Sequence, residues 1–328
     1  MAIIYIDPTY QGATQNGSKL HPFRAIPQLL SNNEYVIKAG TGLPGTFGVN
    51  NISGILISRY GEGDNPILTG SVRCDNKVSG LRVEGLEIQY SPIPINIRSY
   101  GGNIKISDCV LHDCDYSVRV RSLNAANQIV SNVLVANNHC YNSKDDMMYL
   151  YKVSDLKISG NKIHHANQNW QPPSTDQKAA PGDGMQLILT NKVHITDNDI
   201  DRSDSGNKFC IIMSGTIPIE GNYILIDNNT MRLPLKTNQG GAGVYIYDMP
   251  NDLALEFVFN ELHGNMAGVK FNSNGTFYSN GNKYWGLSES EPMPIGIELQ
   301  RPNSSFGHSV SDWYQHCTRK TTNTILPI

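Results

Sequence analysis

The sequence has little charge and no long apolar run. Asp, Glu, Lys and Arg make up 17% of its 328 residues, and the formal net charge is −3. Without a basic excess, the chain gives no reason to expect a nucleic acid or an anionic membrane as a partner. No run approaches the roughly 20 apolar residues of a membrane-spanning helix, and no basic segment followed by a long apolar one marks a signal peptide at the start. We therefore expect no membrane insertion.

Metal-ligand motifs are also missing. The six cysteines form no CxxC pair, and Cys109 and Cys114 fit no zinc spacing. We expect Cys109, Cys140 and Cys210 to be buried free thiols, which is the common state of cysteine in a core. An acidic pair could hold Ca²⁺ only with further oxygen ligands. The sequence thus predicts no metal and no other cofactor.

One eight-residue pattern recurs through most of the chain. In residues 193–200 it runs apolar, polar, apolar, two polar, Asn, polar, apolar, and further copies begin at residues 81, 104, 133, 156, 224, 255 and 277. A short unit repeated with insertions indicates a solenoid. A β-sandwich with strands at similar spacing is the alternative, but it does not explain the recurring Asn. The sixth position is occupied by Asn138, Asn161, Asn198, Asn229, Asn260 and Asn282, and in the first two copies by Leu86 and Cys109.

The pattern specifies strands with one buried face. Alternating apolar and polar residues point to opposite sides of a strand. We expect the Asn to turn the chain, because Asn tolerates unusual backbone angles, and to stack with its equivalents in a ladder of amides. A second short strand follows each copy, as in Val118-Arg-Val-Arg121. Two or three strands per coil predict an all-β, right-handed parallel β-helix with short caps at both ends.

The division of the chain follows from the repeats. We interpret residues 1–54 as an N-terminal cap with the first strands, 55–300 as the parallel β-helix, and 301–328 as a C-terminal cap or a contact segment with another chain. A solenoid core grows in one direction, so a single elongated domain fits this length.

The N-terminal segment carries a family resemblance. Its order is Tyr5-Ile-Asp-Pro8, then Pro22-Phe-Arg-Ala-Ile26, then Tyr35-Val-Ile-Lys-Ala-Gly40. This order resembles the start of pectate-lyase-like right-handed β-helix proteins, most of all phage tailspikes and polysaccharide depolymerases. The resemblance implies a polysaccharide or oligosaccharide as the partner, a homotrimer, and an amphipathic helix that covers the first coil. Pro27 requires that helix to be short or to begin there.

Aligning the second strands on their inward residues stacks the outward residues in columns. The inward residues used are Val118, Met148, Met185, Cys210 and Val244. Two positions earlier stand Tyr116, Asp146, Asp183, Lys208 and Ala242; one position later stand Arg119, Tyr149, Gln186, Ile211 and Tyr245; three positions later stand Arg121, Tyr151, Ile188, Met213 and Tyr247.

This alignment makes Asp146 and Asp183 neighbours, since adjacent strands lie about 4.8 Å apart. Repulsion raises the pKa of one carboxyl and leaves the other ionised, which is the arrangement that glycoside hydrolysis uses. The resemblance supports this, because related hydrolases use Asp clusters on one face. The alternative is that both Asp residues only cap turns.

The same face offers groups that bind sugars. Tyr149, Tyr151, Tyr245 and Tyr247 present flat rings with a polar tip, although exposed Tyr is also common on strands. Gln186, Arg119 and Arg121 share the face, although an Arg pair is also common on a solvated one. Trp170, in the long insert 164–182, could close over it.

A lyase would need other groups. It requires a base for the proton beside a uronate carboxyl and cations that neutralise that carboxyl. The candidates are Arg119, Arg121, Lys144, Lys208, His164 and His165, and His165 joins Asp146 and Asp183 in the predicted catalytic set. A loop start is the plainer interpretation of the two histidines.

The function predicted from the sequence is polysaccharide depolymerisation. We favour a glycoside hydrolase of phage tailspike type that acts on a bacterial surface glycan, located on the virion or outside the cell. The alternatives are a lyase for an acidic glycan and a tail component that binds glycan or serves as structure without catalysis.

Overall fold

The computed structural model describes residues 1–122, 128–166, 182–203, 209–216, 221–232, 242–249, 253–263, 267–273, 276–285, 297–300 and 324–326. Within these ranges all regular structure is β-strand and no helix occurs. The strands are β1 (Ala2–Ile6), β2 (Asn33–Lys38), β3 (Gly42–Gly48), β4 (Ile52–Tyr60), β5 (Ile67–Cys74), β6 (Val78–Glu84), β7 (Glu87–Gln89), β8 (Ile95–Ser99), β9 (Gly101–Ser107), β10 (Val110–Cys114), β11 (Val118–Ser122), β12 (Val130–Ala136), β13 (His139–Ser143), β14 (Met148–Tyr151), β15 (Val153–Ser159), β16 (Lys162–Ala166), β17 (Met185–Ile188), β18 (Asn191–Thr196), β19 (Asp199–Asp201), β20 (Ile211–Ser214), β21 (Tyr223–Asp227), β22 (Thr230–Arg232), β23 (Ala242–Met249), β24 (Ala254–Val258), β25 (Glu261–His263), β26 (Ala267–Ser273), β27 (Thr276–Asn280), β28 (Lys283–Trp285), β29 (Ile297–Gln300) and β30 (Thr324–Leu326).

Parallel pairing arranges the strands in three stacks, which we call sheets A, B and C. Sheet A has the order β1-β2-β4-β6-β9-β12-β15-β18-β21-β24-β27. Sheet B contains β3-β5-β7-β10-β13-β16-β19-β22-β25-β28-β30, and sheet C contains β8-β11-β14-β17-β20-β23-β26-β29, with β5 pairing to both β7 and β8. From β6 to β29 the chain visits A, then B, then C in every coil. This is a parallel β-helix, as predicted.

The repeat alignment is confirmed on sheet A. Leu156 pairs with Val193 and Ile158 with Ile195, so equivalent frame positions lie above each other. Inward residues of all three sheets form one continuous hydrophobic core. The sheet extends beyond the repeats recognised in the sequence, because β1, β2 and β4 continue it in parallel toward the N-terminus. The boundaries at 54 and 300 stay predictions.

The amide ladder is also confirmed. The Nδ2 group of Asn161 donates to Oδ1 of Asn198 at 2.9 Å, and that of Asn198 donates to Oδ1 of Asn229 at 2.9 Å. The same bonds link Asn138 to Asn161 at 3.0 Å and extend through Asn260 to Asn282. All six side chains are at most 2% exposed. Cys109 ends the ladder, since its backbone N–H donates to Oδ1 of Asn138.

The turn at the ladder is made differently from our expectation. The residue before each ladder Asn adopts the left-handed conformation, with φ of 57° at Asp197, 54° at Asn228 and 67° at Gly160. Asp, Asn and Gly tolerate this region. The bulky exception is the exposed Phe259, with φ of 56°. The ladder Asn therefore satisfies buried backbone groups, and its predecessor turns the chain.

Two further expectations are wrong. Residues 18–32 contain no helix, so no amphipathic helix covers the first coil. In sheet C, Met185 and Val244 pair with Ile211 rather than with Cys210, so the alignment at that coil was shifted by one residue. Cys210 is nevertheless buried, as are Cys109 and Cys140, and burial raises the pKa of these three thiols well above its usual value.

The ladder generates a stability prediction. Asn198→Ala removes an acceptor for the backbone N–H and Nδ2 of Asn161 and a donor for buried carbonyls. Leaving such groups unsatisfied should lower the free energy of unfolding by about 1–3 kcal/mol. Urea unfolding measures the change, with Lys157→Ala on the exposed side of sheet A as the control. Equal stability of both variants would contradict the structural role of the ladder.

Candidate functional site

The outward side chains of sheet C form the face on which the sequence placed the site. Arg119 pairs with Asn96 on one side and Tyr149 on the other, and Tyr149 pairs with Gln186. Arg121 lies between Arg98 and Tyr151 in the same way. The predicted columns are confirmed here. At β20 the outward residues are Ile212 and Ser214, which replace the Ile211 and Met213 of the sequence alignment.

Two tyrosine pairs lie at separate places on this sheet C face. Tyr245 and Tyr247 stack with ring centroids 5.0 Å apart, and Phe209 lies 5.2 Å from Tyr245. β17 and β20 stand between this group and Tyr149 with Tyr151. At about 4.8 Å per strand the two pairs are about 14 Å apart. They can contact different sugars of one chain but not the same ring.

Asp146 and Asp183 lie on adjacent coils, as predicted, but they are only 5% and 7% exposed. Oδ1 of Asp146 accepts the backbone N–H of Asp183 at 2.8 Å, and Oδ1 of Asp183 accepts that of Phe209 at 2.9 Å. Each carboxylate thus ties its turn to the next coil. This favours the turn-capping alternative, because a hydrolytic pair has to reach the substrate. Their catalytic role stays a prediction that the geometry does not favour.

A second carboxylate pair lies in the turns that precede β11 and β14. Asp115 and Asp145 are in adjacent coils, where the backbone N–H of Asp145 donates to the Asp115 carbonyl at 2.9 Å. Both side chains are partly exposed. Tyr116 Oη donates to Oδ2 of Asp145 at 2.6 Å. Sequence reasoning missed this pair, although the doublet Asp145-Asp146 was visible.

The two carboxylates have different environments. Burial raises the pKa of Asp115; the negative charge of Asp145 adds to the shift, while Lys144 opposes it. Oδ1 of Asp115 has no hydrogen-bond partner among the described residues. Burial, and then the hydrogen bond to Asp145, raise the pKa of Tyr116, so the phenol keeps its proton and donates it. Asp115 therefore keeps its proton to a higher pH than an unperturbed aspartate does, whereas Asp145 accepts the hydrogen bond of Tyr116.

Arginines border this pair. Arg119 donates from Nε to Oδ1 of Asn96 at 3.2 Å, and its guanidinium lies 5.7 Å from the ring centre of Tyr116. Burial lowers the pKa of Arg119, and the positive charges of Arg121 and Arg98 add to the effect. Arg98 lies 3.5 Å from Asp75, whereas Arg121 makes no ion pair with any described residue. The result is a patch of positive potential beside the carboxylates.

The remaining predicted residues divide into two groups. His164 lies on β16 in sheet B, on a different face from Arg119 and Arg121. The backbone of His165 belongs to the same strand, but its side chain lies outside the described structure, as do Trp170 and Lys208. Within the described ranges, no three His, Cys, Asp or Glu side chains are grouped to hold a metal. Nor does that part of the chain contain a helix able to cross a membrane.

Comparison with known proteins identifies the fold family. The family model described as a right handed beta helix region matches residues 46–231, more than half of the chain. This chain belongs to the right-handed β-helix family. No curated protein sequence matches this β-helix chain.

Two solved structures share the fold of this β-helix. An alginate lyase from Paenibacillus sp. str. FPU-7 is 14% identical with a TM-score of 0.60, over 94% of this chain and 99% of the lyase. A lacto-N-biosidase from Eubacterium ramulus is 13% identical with a TM-score of 0.58, over 100% of this chain and 68% of the biosidase. At these identities the likeness establishes the fold alone.

The tyrosine pairs generate a binding prediction. If a glycan lies along sheet C, Tyr149→Ala and Tyr245→Ala should each weaken binding by about five- to tenfold, because each removes a stacking surface. The melting temperature should change little, since both rings are partly exposed. Affinity electrophoresis in glycan gels measures binding, and Tyr278→Ala on sheet A is the control. Unchanged affinity in both variants would move the glycan to another face.

Proposed function

We propose that this protein is a polysaccharide-cleaving enzyme, with glycosidic hydrolysis as its reaction and sheet C as its substrate face. The observation that carries the proposal is the Asp115–Asp145 pair. Two partly exposed carboxyls stand on adjacent coils, and the pKa of one is raised by burial and by its neighbour. Hydrolysis of a glycosidic bond requires such a division into an acid and a base or nucleophile.

The roles follow from the environments. Asp115 gives its proton to the glycosidic oxygen as the bond to the anomeric carbon breaks. Asp145 either takes a proton from the attacking water or attacks the anomeric carbon itself, and in the second case water later releases the sugar. One water is consumed in both routes. In the first, Asp145 passes its proton to solvent and Asp115 takes one up from solvent; in the second, Asp115 takes a proton from the water that releases the sugar. Tyr116, through its 2.6 Å bond, positions Asp145.

The surroundings supply binding. Tyr149 lies beside Tyr116, with ring centroids 6.0 Å apart, and Arg119 is held by Asn96. These groups offer a flat ring and hydrogen-bond donors close to the carboxylates. The second aromatic group, at Tyr245 and Tyr247, serves sugars further along the chain. A bacterial surface glycan is the substrate class we propose.

Lyase action on an acidic glycan is the second candidate, and the arginine patch favours it. Arg98, Arg119 and Arg121 stand on two adjacent strands, with Arg121 unpaired among the described residues. Cations at this density neutralise a uronate carboxyl, which elimination requires. One fold neighbour is named an alginate lyase and the other a lacto-N-biosidase, so the fold likeness does not choose between the reactions.

Assembly and location stay proposals. We propose a homotrimer on a phage tail or outside the cell, on the resemblance of the N-terminal segment to tailspike proteins. Light scattering coupled to size-exclusion chromatography measures the mass of the assembly. A monomer at micromolar concentration would remove the support for a tailspike.

The carboxylates generate the decisive prediction. With purified capsular and lipopolysaccharide glycans as substrates, Asp115→Asn and Asp145→Asn should each lower turnover by about 10²–10⁴-fold, since each removes proton transfer from the transition state. In the unchanged protein, the rate should fall as pH rises through the raised pKa of Asp115, because the acid then loses its proton. New reducing ends report hydrolysis, and absorbance of an unsaturated product reports elimination.

Asp146→Asn and Asp183→Asn are the matched controls, and they test the earlier catalytic assignment as well. They should keep most of the turnover and most of the stability, because the amide Oδ1 of Asn can still accept the backbone N–H that each carboxylate accepts. The reverse result would restore Asp146 and Asp183 as the catalytic pair. Glycan binding without cleavage in every preparation would support a non-enzymatic tail component.

A further inference from the structure

Sheet B carries a second polar face that the predicted function does not use. From β10 to β28 its strands have three to five residues and directly follow the turn at the ladder position, and their outward residues form two columns. At β13 and β16 these residues are His139, Tyr141, Lys162 and His164; His112 precedes them on β10 and Asp199 follows on β19. We call these six side chains the sheet B face.

Stacked rings give this face a rigid surface. The rings of His112 and Tyr141 are stacked with centroids 4.5 Å apart and an angle of 6°. His139 lies 4.8 Å from Tyr141 and 5.5 Å from His164. Two carboxylates hold the ring of His112 in place: its Nδ1 lies 2.8 Å from Oδ2 of Asp113, and its Nε2 lies 3.2 Å from Oε1 of Glu87. The rings are therefore ordered without a ligand.

Positive charge on the face is unevenly compensated. Arg232 pairs with Asp199, Lys283 pairs with Glu261 at 3.0 Å, and His112 lies between two carboxylates. By contrast, the side chains of His139 and Lys162 make no hydrogen bond or ion pair with any residue that the structure describes. His164 lies 3.7 Å from an Asp199 oxygen that belongs to the already paired carboxylate. The uncompensated charge is thus concentrated at β13 and β16.

The like charges disfavour protonation of His139. Burial lowers the pKa of His139, and the nearby positive charges of His164, Lys162 and His112 lower it further. An anion placed among these groups would relieve the repulsion and hydrogen-bond to the imidazole of His139 and the ammonium of Lys162. A flat ring surface beside the charges adds contact for a sugar ring.

We propose that the sheet B face is a second binding site, which takes an anionic sugar with its carboxylate or sulfate group at His139 and Lys162 and its ring against Tyr141. This site is separate from the Asp115–Asp145 pair, which lies beyond the corner between sheets B and C. The inference goes beyond the proposed hydrolysis and does not require it. It implies that an acidic glycan contacts two faces of the same coils.

The site should respond to pH. The charged and titratable groups that face His139 are Lys162, His164, His112 and Tyr141. A bound anion favours the protonated imidazole, so binding takes up a proton. Affinity should therefore rise as pH falls, by about three- to tenfold between about pH 7.5 and about pH 5.5.

The experiment measures binding rather than cleavage. The full chain is titrated with a short oligogalacturonate, with a neutral galactose oligomer of the same length, with a sulfated oligomer and with inorganic sulfate. Imidazole NMR signals are followed, and His139→Gln assigns the His139 resonance. Loss of hydrolysis in Asp115→Asn should leave these titrations unchanged, which separates the two proposals.

The expected result is a shift of the His139 and His164 signals with acidic oligomers and none with the neutral one. Lys162→Gln should weaken that binding about threefold, and His139→Gln should remove its pH dependence. Lys157→Gln, an equally exposed lysine on sheet A of the same coil, is the control and should change neither. Retained affinity and pH dependence in both site variants would overturn the proposal. So would equal shifts with the neutral oligomer, or with inorganic sulfate alone.

Discussion

The stacked amides of the ladder are the interaction on which the architecture depends. Each side chain connects three coils: Nδ2 of Asn161 donates to the Val135 carbonyl in the preceding coil and to Oδ1 of Asn198 in the following one. An unmatched polar group in this core would cost about 1–3 kcal/mol, and a shift of one residue would leave many groups unmatched at once. The ladder therefore fixes the register of sheets A and B. That register determines which outward side chains become neighbours on each face of the molecule.

A fixed parallel register has electrostatic consequences. Equivalent outward positions of neighbouring coils lie about 4.8 Å apart, so a charge in one coil always meets the residue in the same column of the next. Where the column alternates in sign, as at Glu261 and Lys283, the charges neutralise each other. Where it does not, as at Arg98 and Arg121 or at His139 and Lys162, repulsion persists until a ligand or solvent compensates it. Such unbalanced columns are where we place binding.

The sequence predicted the features that repeat and failed at those that occur once. The repeat period and the spacing of the Asn residues were sufficient to predict the coils, the ladder and the columns from Arg119 to Gln186. The register at β20 was misassigned because Cys210 and Ile211 are both apolar and both fully buried, so alternation could not separate them.

The candidate site was less predictable for a related reason. Asp145 and Asp146 follow each other at a corner, where strand alternation ends. Only coordinates show that Asp146 accepts a backbone N–H of the next coil, while Asp145 accepts the Tyr116 hydroxyl and the N–H of Asp146. The sheet B face was overlooked because only the second strands, which form sheet C, were aligned for outward residues. Aligning the copies at their seventh residue would have placed His139 beside Lys162. Aligning them at the first residue after the pattern would have placed Tyr141 beside His164.

One regularity bears on how this chain can change. Exactly two residues separate the sheet A strand from the sheet B strand in every coil from β6–β7 to β27–β28, whereas the connections into sheet C vary widely. The number of connecting residues thus varies only at corners that lie away from the Asn ladder. The spacing at the ladder is constant, and the connections that vary in length lead into sheet C, the face on which we propose that substrate binds. Replacing or lengthening these connections, by engineering or in evolution, could therefore change specificity without altering the register of any coil.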